Sequence, residues 1–78
     1  MDVYSKTFQI RIRAIRNELG ITQGQVSKDA GIIQSKLSKY ETGELQPNLD
    51  QLGILANYYE VSIDWLLGNP HSNKRGGE

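Results

Sequence analysis

The chain has 78 residues, a formal net charge of zero and no cysteine. One small domain is the most this length supports, and disulfides and thiolate metal sites are excluded. No apolar run approaches the ~20 residues that span a bilayer, and MDVYSKTFQI lacks the apolar core of a signal peptide, so the cytoplasm is the expected compartment.

The zero charge is unevenly spread. Residues 1–40 carry seven basic and three acidic side chains, and residues 41–78 carry two basic and six acidic ones. The halves are therefore +4 and −4, which predicts one basic and one acidic face.

Five short helices are expected, with no strand. Phe8, Ile12, Ile15 and Leu19 recur at helical spacing, so a first amphipathic helix runs over about 6–19, with Arg11, Arg13 and Arg16 off its apolar stripe and Gly20 as its stop. Thr22 opens a second helix in a capping box with Gln25. Val26 and Ala30 face inward, Ser27 is small enough for a close helix crossing, and Gly31 ends the segment. The third helix covers about 33–41, with Leu37 and Tyr40 as its buried side and Gly43 as a left-handed stop. Asn48 caps a fourth helix whose apolar positions are Leu49, Leu52, Leu55, Ala56 and Tyr59. Ser62 caps a fifth, with Asp64 in its first turn, Trp65 and Leu66 buried, and Gly68 at its end. This places one domain over 1–68 and a disordered polar tail over 69–78, which contains His71.

Helices two and three meet at a tight glycine turn, and the second of the pair is polar outside. That is a helix-turn-helix arrangement, whose second helix fits the major groove of DNA. Helical spacing puts Gln34, Ser35, Lys36, Ser38 and Lys39 opposite Leu37 and Tyr40. Gln can hold adenine N6 and N7, Lys can reach guanine or a phosphate, and Ser can reach either. A solvated surface is the bland alternative.

The chain resembles the Cro/C1-type (XRE-like) helix-turn-helix family, which includes lambdoid phage repressors. The resemblance runs over about 8–68. Its residues are Arg13-x-x-Arg16-x-x-x-Gly20-Ile21-Thr22-Gln23, Val26, Gly31-Ile32, Leu37-Ser38-Lys39-Tyr40-Glu41-x-Gly43, Pro47-x-Leu49 and Val61-Ser62-Ile63-Asp64-Trp65-Leu66-Leu67.

The resemblance implies a compact, all-α, five-helix lambda-repressor-like fold and a sequence-specific regulator of transcription. That regulator would be a repressor binding a palindromic double-stranded operator as a homodimer. It also implies that Thr22 and Gln23 meet DNA, Gln23 at a phosphate. Gln34, Ser35, Lys36 and Lys39 would read bases with Ser38 at the edge, and Arg16 and Glu41 would form a structural salt bridge. Tyr58, Tyr59, Val61 and Ile63 are candidates for core or for a dimer contact.

Two positions depart from the family pattern. Glu44 stands in the loop after the recognition helix, where basic residues are usual. Ile33 stands where Ser or Thr would cap the helix, and it either packs on helix two or meets a thymine methyl group in the groove. Arg11 and Arg13 are expected as solvated surface charge. An antitoxin of a toxin–antitoxin pair, or an interaction module without DNA binding, are the alternatives. Nothing in the sequence implies an enzyme, a cofactor, a metal or a small-molecule ligand.

Overall fold

The computed structural model describes residues 3–70 and 73–75, so His71 lies outside the described residues. Five helices follow in order: α1 (Val3–Leu19), α2 (Gln23–Ala30), α3 (Gln34–Thr42), α4 (Leu49–Tyr59) and α5 (Ile63–Leu67). The described residues contain no strand.

Local chemistry sets most of the boundaries. The side chains of Thr22, Asn48 and Ser62 accept the amides of Gln25, Gln51 and Trp65, so each satisfies a donor that the helix start would leave open. The second arm of the expected capping box is not made. Gln25 instead donates its side-chain amide to Asp29 at 2.8 Å. Gly20, Gly31, Gly43 and Gly68 all have positive φ at helix ends. α4 closes differently, on Glu60, at φ 57° the one non-glycine residue with positive φ among those described.

α1 packs against α5 and α3, and α2 against α3 and α4. The core takes Phe8, Ile12 and Ile15 from α1, Val26 from α2, Leu37 and Tyr40 from α3, Leu55, Ala56 and Tyr59 from α4, and Leu66 from α5. Ile32 and Val61 join it from the turns. Phe8 and Tyr40 meet edge to face at 6.4 Å, and the Tyr40 hydroxyl donates to Gln51.

Three apolar positions differ from the periodic reading. Leu19 is exposed, because the chain turns at Gly20 and Ile21 folds back against the core instead. Leu49 is exposed in the first turn of α4. Trp65 is only half-buried. α1 also starts three residues earlier than the periodicity indicates, and Tyr4 lines a cleft there with Phe8, Leu52 and Leu67.

Within the expected tail, Asn73–Arg75 lie against the start of α5 and the ends of α1 and α4. The Ser62 amide donates to the Lys74 carbonyl at 2.6 Å, and the Lys74 ammonium sits 5.1 Å from the Trp65 ring centre and 3.6 Å from Glu18. No helix among the described residues is long and apolar enough to cross a membrane.

Candidate nucleic-acid interface

Four residues, Ser27, Gly31, Ile32 and Ile33, shape the turn between α2 and α3. The Ser27 hydroxyl donates to the Ile32 carbonyl at 2.6 Å, across the turn. Gly31 takes the left-handed conformation that closes α2, and its amide returns to Ser27. Ile32 is buried, whereas Ile33 beside it is 65% exposed. α3 is thus anchored at its mouth by Ile32 and along its length by Leu37 and Tyr40, at 3%, 4% and 2% exposure.

That anchoring leaves Gln34, Ser35, Lys36 and Lys39 exposed together on the outside of α3, with Ser38 half-buried at the margin. Gln34 also approaches α2. A Cβ placed on Gly24 would lie 3.7 Å from Gln34 Oε1 and 3.7 Å from Thr22 Oγ1. Thr22, Gly24 and Gln34 therefore converge where the starts of the two helices come together. Gly24 reads in the sequence as an ordinary helix glycine, and only the helix crossing reveals its place in this patch.

Arg16 and Glu41 meet as a bidentate pair. Arg16 Nε donates to Glu41 Oε2 at 2.7 Å and Nη2 to Oε1 at 2.9 Å. Arg16 Nη1 continues to the Ile21 carbonyl at 2.9 Å. The hydrogen bond to Glu41 is the main reason that the Arg16 guanidinium holds its proton even more firmly than usual. Glu41 is buried, and the pair's fork-on-fork geometry satisfies both of its oxygens. Gln23 is drawn into the same network, its side-chain amide donating to Glu41 Oε1 at 3.1 Å. An amide nitrogen has two N–H donors, so this bond orients Gln23 and uses one of them. The end of α1, the start of α2 and the end of α3 are joined at one carboxylate.

Around this centre the structure sorts the other candidates. Arg13 is exposed, as expected of surface charge. Arg11 is not solvated charge. Its guanidinium donates to the Trp65 carbonyl and lies 4.7 Å from the Trp65 ring centre, which fastens α1 to α5. Glu44 accepts from the Thr42 hydroxyl at 3.2 Å, folded back on the α3 terminus. Tyr59 and Val61 are core residues, Tyr58 is half-buried and Ile63 is exposed. Burial, helped by the Glu41 carboxylate, pushes the Tyr59 phenol far above its usual range. The Tyr58 hydroxyl donates to Asp29 Oδ2 at 2.8 Å, tying α4 to the end of α2. That bond raises the Tyr58 phenol. With the stronger effect of Gln25, it lowers the Asp29 carboxyl. No group of three or more His, Cys, Asp or Glu among the described residues could hold a metal ion.

Two crossing helices, a left-handed turn and an exposed polar second helix define a helix-turn-helix domain. The helix-turn-helix family model matches residues 12–66, and the chain belongs to that family, in its Cro/C1-type branch. The chain is 40% identical over 58 residues to the uncharacterized HTH-type transcriptional regulator YobD of Bacillus subtilis (strain 168), a match covering 74% of this chain and 52% of YobD. It is 35% identical over 65 residues to the HTH-type transcriptional regulator ImmR of the same strain, covering 83% and 51%. It is 37% identical over 57 residues to Repressor protein C2 of Salmonella phage P22, covering 73% and 26%. The chain thus spans about half the length of YobD and ImmR that it matches, and less of C2. No solved structure matches it.

Proposed function

We propose that this chain is the DNA-binding part of a non-enzymatic transcriptional repressor, acting in the cytoplasm as a homodimer on a palindromic double-stranded operator. The observation that carries the reading is the outer face of α3. Gln34, Ser35, Lys36 and Lys39 stand exposed on a helix whose opposite side is locked into the core. Direct base readout needs such a surface, polar in chemistry and fixed in position. The names of YobD, ImmR and C2 as regulators and a repressor support it.

In this reading Gln34 and the lysines meet bases in the major groove. Thr22 and Gln23 meet a flanking phosphate, with Gln23 aimed by Glu41. A chain with no net charge neutralises few phosphates, so a dimer with two copies of α3 supports the affinity. Half-sites then lie ~34–36 Å apart. Ile63 and the exposed edge of Tyr58 are the members of the expected dimer set with surface left to offer.

The test is a selection from random duplexes, repeated at two salt concentrations. A defined palindromic sequence is expected. Gln34→Ala then loses ~1–3 kcal/mol at one base position in each half-site. No enrichment of any sequence at ~50 mM salt, where electrostatic contacts are strongest, sinks the proposal.

A further inference from the structure

α2, α4 and α5 each begin on a polar side chain that accepts the amide three residues on. α3 begins on Ile33, which makes no side-chain cap. The amide of Lys36, the one such a cap would take, turns to the Ile33 carbonyl at 3.0 Å. Among α2 to α5, only α3 thus starts without a stabilising side-chain cap. Burial returns nothing for it, because Ile33 is 65% exposed while Ile32 supplies the anchor. Ile33 stands outside the core cluster, so core packing does not account for it. What adjoins it is the polar surface of Gln34 and Ser35, with the Gln34 side chain reaching toward Gly24.

A branched apolar side chain at the leading end of a base-reading surface has one apolar partner among base edges in the major groove. That partner is the C5-methyl group of thymine. We propose that Ile33 recognises a thymine methyl beside the base read by Gln34, and so sets sequence preference at that position. The proposal rests on the DNA-binding reading above. Removing the methyl while keeping every hydrogen-bonding group isolates the contact, which deoxyuridine does. Cytosine lacks the methyl and 5-methylcytosine restores it, so the preferred position tolerates 5-methylcytosine better than cytosine.

The experiment uses the full chain and a duplex obtained by random selection, with each thymine replaced in turn by deoxyuridine at fixed salt. One replacement per half-site is expected to weaken binding by about fourfold, the value of one buried methyl. Ile33→Ser is expected to bind thymine and deoxyuridine duplexes equally, and Ile33→Val to keep most of the discrimination. Denaturant unfolding of Ile33→Ser is read alongside, with stability unchanged or raised by the new cap. Indifference of the native chain to every deoxyuridine overturns the proposal and leaves the DNA-binding reading standing. So does an Ile33→Ser variant that keeps the ratio or unfolds far more readily. If no duplex is selected at all, both readings fall.

Discussion

Replacing Glu41 with alanine deletes one half of the Arg16–Glu41 pair and leaves the other half in place. Arg16 and Glu41 keep only 15% and 8% of their side-chain surface exposed, so the remaining guanidinium stays largely out of water. It retains the Ile21 carbonyl and loses both carboxylate bonds, and Gln23 loses its acceptor as well. Breaking a buried pair from one side costs about 3–5 kcal/mol. A chain of this size has of the order of 4–12 kcal/mol of total stability, so the variant gives up from about a quarter to all of it. Urea unfolding followed by helix circular dichroism reads the loss directly, and Tm should fall by about 4–8 °C per kcal/mol. The decisive measurement is the double variant Arg16→Met with Glu41→Leu. Apolar side chains of similar volume leave no orphaned charge, so it is expected within ~1 kcal/mol of the native chain. A Glu41→Ala loss below ~1 kcal/mol, or a double variant as weak as the two single losses added together, would refute the claim that this pair is a buried, mutually dependent unit.

Other residues carry separate expectations. Gly43 has φ 85°, and a Cβ there would stand 2.6 Å from Gln9 Oε1. Gly43→Ala should cost about 1–2 kcal/mol for the left-handed backbone alone, with Gln9→Ala recovering only the steric excess in thermal unfolding. Glu60→Gly relieves the positive φ at the end of α4 and gives up only an exposed ion pair with Arg75, so a gain of ~0.5–1 kcal/mol is expected from chemical denaturation. Asp29 has a folded-state pKa below its usual value, so its contribution is present above the unfolded-state pKa and disappears as pH falls through the folded one. Tyr58→Phe removes one of the two bonds responsible, and its stability should decline less steeply than the native chain's below about pH 4.

Much of the fold was legible because helix ends announce themselves chemically. Thr22, Asn48 and Ser62 are caps where the sequence places them, and the four glycines at helix ends have the backbone that only glycine adopts freely. The end of α4 had no such mark, since Glu60 is not a residue type that signals a left-handed stop. Leu19 and Leu49 show the limit of periodicity. It identifies the apolar side of a helix without saying where the core beneath it stops. The Arg16–Glu41 contact followed from family resemblance, whereas the bond from Gln23 to the same carboxylate, the bond from Ser27 to Ile32 and the approach of Gln34 to Gly24 depend on how two helices cross. A linear pattern does not carry that angle. Arg11 is the plainest case: its partner Trp65 lies 54 positions away.

Trp65 is the only tryptophan in the chain, and the charged ends of Arg11 and Lys74 both lie over its ring. Its indole is therefore an optical label already installed on the α5 side of the molecule, away from α3. Emission from it reports whether Asn73–Arg75 stay seated against Ser62, a quantity that Lys74→Ala shifts and that substitutions on the outer face of α3 leave alone.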